Sequence, residues 1–323
     1  MFDLKILFRK LKNFWHEDYL GGDYDEKEYD IAGLKFKRRL LPKCRAYCSE
    51  FYDKPKVYFS ILAIIKNEAP YIKEWIEYHR MLGTERFYLY DNESDDNLKE
   101  VLEPYIKSGL VCYHYAKGHA IQYYVYRDAL FKYKNQTRWL GIIDLDEFIV
   151  PLEKHSIPEF LKDYEKYPAV VVNWVYFDSN GFLEPPKEKY GLVTANYVRT
   201  YKDDNFIINR HVKSIVNPAK VLTMNNSHFC YYRKNDLPVN ENYQKVYGPF
   251  TKTHSSSKIR LNHYFCKSKS EYIAKIERGC PDKHAKRTFD DTILNIPEWK
   301  YDYAIQGYVK DLIKIMFKET QQE

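Results

Sequence analysis

Within Trp139–Val150 an apolar run leads into Asp144, Asp146 and Glu147, and a second apolar run follows. Read as an extended strand, alternation throws Asp144 and Asp146 to one face and turns Leu145 into the core. Two carboxylates sharing a small site repel unless a cation or a shared proton offsets them. Oxygen ligands of this kind suit a hard ion such as Mg2+ or Mn2+. The motif therefore reads as an Asp-x-Asp metal site for a diphosphate-bearing substrate, against the plainer reading of a solvated acidic turn.

Such a pair needs a frame. Val57–Ile65 is a near-continuous apolar run of the kind that forms a strand buried on both faces, and it ends in Lys66-Asn67-Glu68. Tyr71 to Leu82 has helical spacing, with Gly83 as its stop. A strand from Arg86 to Tyr90 runs into Asp91, a short helix covers Val101 to Ser108, and another strand covers Leu110 to Tyr115. Strand–helix alternation predicts an α/β fold, with a mostly parallel sheet and right-handed crossovers. Ligands in such sheets sit beyond the carboxyl ends of the strands. Asn67, Glu68, Asp91, Asp144 and Asp146 all fall there.

The chain has 323 residues, enough for a substantial core, and a net charge of +6. No apolar run reaches 18 residues and the first 15 residues make a poor signal peptide, which points to the cytoplasm. Leu4, Leu7, Phe8, Leu11, Phe14 and Trp15 have helical spacing among basic residues. They predict an amphipathic helix that lies on an anionic membrane or docks on its own domain. Six scattered cysteines read as free thiols. Aromatic residues make up 17% of the chain, with 32 tyrosines, a weak pointer to a sugar- or base-binding cleft. Three units are expected: a basic arm at 1–55, a catalytic domain at 56–285 and a helical extension at 286–323. An amphipathic helix at Tyr303 to Phe317 would pack on the sheet, pair with another subunit or meet the membrane.

The ordered set Ile64 to Ala69, Glu74 to His79, Phe87 to Asp96 and Ile142 to Phe148, with later pieces at Asn173-Trp174, Val212 to Pro218 and Asn262 to Ser268, resembles glycosyltransferase family 92, related to family 2. The resemblance spans residues 57 to about 280 and implies a GT-A fold: a Rossmann-like nucleotide-binding sheet followed by an acceptor-binding part. It also implies a sugar-nucleotide donor such as a UDP-sugar, a divalent ion (Mn2+ or Mg2+), a glycan or lipid-linked acceptor and, usually, inversion. By that pattern Asp91 binds the uracil or ribose, Lys66, Asn67 and Glu68 line the nucleotide pocket, and Asp144 and Asp146 hold the metal. His263 completes the metal or diphosphate site, and Lys267 or Lys213 assists the leaving group.

Where related sequences are expected to carry Phe-Gly-Ser, this chain has Phe177-Asp178-Ser179. Transfer needs a base for the acceptor hydroxyl. Glu147, Asp178, Glu271 and Asp282 are the candidates, and the sequence does not choose among them. Trp174 would stack on a sugar face or simply pack. The work expected is surface-polysaccharide synthesis. The competing expectations are a non-catalytic nucleotide- or glycan-binding protein, and nucleic-acid binding through the basic arm.

Overall fold

The computed structural model describes residues 55–224, 226–232, 236–279 and 287–317. The basic arm, the helix expected at 4–15, Asp282, and Cys44, Cys48 and Cys280 lie outside them. Among the described residues Cys112, Cys230 and Cys266 are free thiols, and no helix is long and apolar enough to cross a membrane.

Among the described residues twelve strands occur in chain order: β1 (Val57–Ile65), β2 (Arg86–Asp91), β3 (Val111–Tyr115), β4 (Thr137–Ile142), β5 (Glu147–Pro151), β6 (Ala169–Tyr176), β7 (Arg199–Tyr201), β8 (Val212–Val216), β9 (Thr223–Met224), β10 (Cys230–Tyr231), β11 (Ile259–His263) and β12 (Trp299–Tyr301). The longer helices are α1 (Ala69–Met81), α2 (Leu98–Lys107), α3 (Gln122–Tyr133), α4 (Lys269–Arg278) and α5 (Gln306–Phe317). Eight strands form one sheet in the order β3-β2-β1-β4-β8-β6-β11-β5. Six run parallel, and β8 and β5 are reversed. The expected α/β architecture with a mostly parallel sheet is the one observed.

The sheet must curl. Five Cα steps separate Ile142 from Glu147, a reach of at most about 17 Å. Across a flat sheet the four spacings from β4 to β5 would need about 19 Å. Curling brings β5 back against α1, where Trp75 Nε1 donates to Glu147 O at 2.9 Å and Tyr78 Oη to Ile149 O at 3.1 Å.

Apolar runs explain the buried strands: β1 is buried at eight of nine positions and β6 at all eight. One face packs Phe59, Ile61, Trp75, Phe87 and Trp139; the other packs Leu62, Tyr88 and Leu140 against Val125 and Leu130 of α3. The sequence reading did not foresee α3, although its buried positions have helical spacing. Gly83 ends α1 at φ +98°, and a Cβ there would sit 2.7 Å from Pro158, so both backbone and space exclude a side chain.

Residues after 286 do not stand apart from the domain. Strand β12 pairs with β7, and α5 buries Val309 and Leu312 in the main core while Tyr308 Oη donates to Pro151 O at 2.8 Å. Of the three roles open to the C-terminal helix, packing on the domain is the one seen.

His79 on α1 is fully buried between Trp75 O (2.9 Å from Nδ1) and the Ile149 N–H (3.2 Å from Nε2). One nitrogen donates and the other accepts, so the ring is neutral. Burial lowers its pKa to about 3. The unfolded chain takes up a proton below about pH 6.5 where the folded one does not. Stability is therefore expected to fall as pH drops from 6.5 toward 3, by about 1.4 kcal/mol per unit from this residue alone. Urea midpoints that stay constant from pH 6.5 to 4 would contradict this.

Candidate active site

Strand polarity assembles the site. The parallel strands β1, β2, β4, β6 and β11 all point their carboxyl ends to one edge, and the reversed β8 and β5 begin there. The expectation that Asn67, Glu68, Asp91 and the Asp pair follow neighbouring strands holds, because β2, β1 and β4 are adjacent. A cleft of about 750 Å³ opens at this edge.

The Asp pair differs from its expected geometry. Strand β4 stops at Ile142, and Asp144 to Asp146 form a turn rather than an alternating strand. The turn is closed from within: Glu147 N donates to Asp144 O at 3.1 Å, and Asp144 N donates to Glu147 Oε2 at 2.8 Å. Each aspartate then meets its own cation. Asp144 Oδ2 takes Lys213 Nζ at 2.7 Å; Asp146 Oδ2 takes Lys275 Nζ and has His263 Nε2 at 3.6 Å. Lys213 reaches Asp144 because β8 runs backward and starts beside the end of β4. Both aspartates, His263 and Lys275 line the cleft.

Burial opposes ionisation of Asp146, but Lys275 and His263 outweigh it and hold the carboxyl well below its usual range. Burial lowers the Lys275 ammonium in spite of Asp146, and Arg287 adds to that. Glu147 goes the other way. It is fully buried, and burial, with Asp144 and Asp146, raises its carboxyl against the pull of Lys213.

The three base candidates within the described residues are otherwise occupied. Glu147 anchors the turn and does not line the cleft. Asp178 is fully buried and held at both oxygens by Arg199, at 3.0 and 2.6 Å, with the Asn180 and Ile296 N–H groups completing its shell. Glu271 is the third residue of α4, in a capping box with Ser268, and also accepts from Tyr71 Oη and Tyr197 Oη. A carboxylate spent on its own fold is not free to meet an acceptor.

Among the nucleotide-pocket candidates, Lys66 and Glu68 line the cleft, and Glu68 is paired to Arg278 at 3.0 Å. Asn67, at φ +54°, instead ties β1 to the loop after β2, receiving Asp95 N at Oδ1 and donating its own N–H to Ser94 Oγ. Asp91 is buried, with Ser94 N on one oxygen and Tyr113 Oη on the other; its neighbours Asn92 and Glu93 line the cleft. Lys267 sits over the Tyr71 ring at 3.4 Å, 3.8 Å from Glu68 Oε2, outside the cleft lining.

Lys275, Arg278, Arg287, His211 and His228 were not among the expected site residues. Lys275 and Arg278 lie one turn apart on α4, so both face one side, a signal the sequence carried. Arg287 and the histidines reach the cleft only through the fold.

As to a divalent ion, Asp146 Oδ2 and His263 Nε2 lie 3.6 Å apart, and the same oxygen already meets Lys275 Nζ. Asp144 faces Lys213 instead, and among the described residues no group of three or more potential ligands forms. Asp146 and His263 are the two expected ligands that approach each other, and an ion there would need its other ligands from substrate oxygens and water.

Over residues 58–289 the chain matches the family model described as glycosyltransferase family 92. A family 92 protein of Oryza sativa subsp. japonica is 28% identical over 111 residues, which is 34% of this chain and 19% of that protein. A galactan beta-1,4-galactosyltransferase of Arabidopsis thaliana is 33% identical over 111 residues, 31% of this chain and 21% of that protein. The matched stretch thus spans about a fifth of either relative. Among solved structures, S. aureus TarS 1–349 superposes with a TM-score of 0.36 at 14% identity, covering 82% of this chain and 74% of that one. With the family model covering well over half its length, the chain belongs to glycosyltransferase family 92.

Proposed function

We propose that the chain is a divalent-metal-dependent glycosyltransferase. It moves a sugar from a UDP-sugar to a glycan or lipid-linked glycan acceptor, with inversion, in surface-polysaccharide synthesis. The observation that carries this is the grouping of Asp146, His263, Lys275 and Arg278 in one cleft at the carboxyl edge of the sheet. A relative named as a galactosyltransferase agrees with a hexosyl donor. The basic residues before position 50 favour an anionic, cytoplasmic membrane surface as the place of work.

Each group has a task. Asp146 and His263 would hold the ion, which when bound would offset charge on the departing diphosphate. Lys275 and Arg278 present fixed positive charge to the same oxygens, and a preorganised charge costs no reorientation during the reaction. Lys213 pairs with Asp144 at 2.7 Å and holds it at the cleft wall. Trp174, 9% exposed and lining the cleft, offers a flat apolar edge to a sugar.

Calorimetry with UDP- and GDP-sugars, with Mn2+ and after EDTA, tests the reading. UDP-sugar binding and transfer should both need the ion and return when Mn2+ is restored. Tight binding without turnover over a broad acceptor panel would make the protein a non-catalytic binder, and failure of every nucleotide sugar to bind would sink the proposal.

A further inference from the structure

The glycosyl-transfer reading leaves the acceptor's proton without a destination. Among the described residues five carboxylates line the cleft, and each has a partner. Glu68 is paired with Arg278, Asp144 with Lys213 and Asp146 with Lys275. Glu93 Oε2 accepts Gly118 N at 3.1 Å. Asp290 Oδ1 caps the short helix at 291–294, accepting Thr292 N and Oγ1 at 2.9 and 2.7 Å.

A different kind of base is in place. His211, His228 and His263 all line the cleft around Trp174, with ring centroids 4.7, 5.1 and 4.1 Å from the indole. His228 therefore stands one aromatic ring away from His263, the partner of Asp146. Its Nδ1 lies 3.0 Å from Val212 O. A carbonyl oxygen can only accept, so Nδ1 carries the hydrogen and Nε2 carries the lone pair. No described residue hydrogen-bonds to that Nε2. The ring is also held through its backbone: Ser214 Oγ donates to His228 O at 2.8 Å, and His228 N donates to Asn226 Oδ1 at 2.8 Å. His211 has the same tautomer, through Ile208 O, but is stacked flat on Trp174 and packed against Phe250.

We propose that His228 is the general base of the transfer, an inference that rests on the glycosyltransferase reading. The acceptor O–H gives its proton to Nε2 and the oxygen bonds to the anomeric carbon. The bond from that carbon to the diphosphate breaks, with its electron pair leaving on the diphosphate oxygen. The imidazolium then releases the proton to solvent. Burial, with Lys213 and His211 adding, lowers the His228 pKa well below its usual value, so the lone pair is available at neutral pH.

The test compares wild type, His228→Gln, His228→Ala and Asp290→Asn in full-length protein, using UDP binding by calorimetry and kcat for transfer. Expected for His228→Gln is UDP affinity within about twofold of wild type with kcat down about 10²–10⁴-fold. Azide needs no deprotonation, so added azide should restore glycosyl-azide formation by His228→Ala to near the wild-type rate. Wild-type kcat in His228→Gln, or the large loss appearing in Asp290→Asn instead, overturns the assignment. So does a His228→Ala variant that binds UDP normally and is not rescued by azide. If wild type transfers from no nucleotide sugar, the glycosyltransferase reading itself has failed.

Discussion

Asp146→Asn should keep the fold and lose transfer, with kcat down by at least about 10²–10³-fold, the scale of one deleted electrostatic contact in an active site. Asparagine keeps the shape and removes the charge. Lys275, already lowered by burial and Arg287, would lose the carboxylate that sustains its proton, and His263 would lose the group beside it. The same substitution at Asp144 should cost less, because Lys213 retains Glu147 Oε2 at 3.6 Å as a second polar partner. Single-turnover transfer and UDP calorimetry on both variants would show it. Wild-type turnover by Asp146→Asn would remove the Asp turn from the chemistry.

Arg199→Met should cost about 3–5 kcal/mol of stability, the usual result of stripping a buried ion of its partner. Asp178 is fully buried, and Arg199 is its only charged hydrogen-bond partner among the described residues. The Asn180 and Ile296 N–H groups remain but carry no full charge. Adding Asp178→Asn should recover most of the loss, since no ion is then stranded. Urea midpoints of the two single variants and the pair measure the coupling. An Arg199→Met protein within about 1 kcal/mol of wild type would show the pair to be dispensable.

Asp178 also shows where the sequence stops being readable. Its partner is 21 residues away, and Ile296 a further 97 beyond Arg199, so the exchange of an expected glycine for an aspartate looked like a new functional group when it is half of a buried ion pair. Glu271 misled for a similar reason, since Tyr71, 200 residues earlier, holds it. Strands β1 and β6 and helix α1 were legible because unbroken apolar runs and 3.6-residue spacing are local signals. The Asp turn was half legible. Its two flanking strands are both buried, so one continuous apolar stretch with an acidic interruption concealed a change of strand. The carboxylates were visible, while the lysines that neutralise them lie 69 and 129 residues on.

The curl of the sheet also orders events in time. Strands β1 to β4 can pair with one another as soon as residue 142 exists, but β5 is the edge of the sheet and takes its neighbour from β11, at 259–263. That closure joins segments more than a hundred residues apart, and the entropy of the intervening chain must be spent before its contacts return anything. The aspartates sit on the hinge between the early half and the late strand. During synthesis the cleft edge is therefore expected to be the last region to acquire its shape, and a nascent chain stopped short of residue 259 would hold the first half of the sheet without a complete cleft.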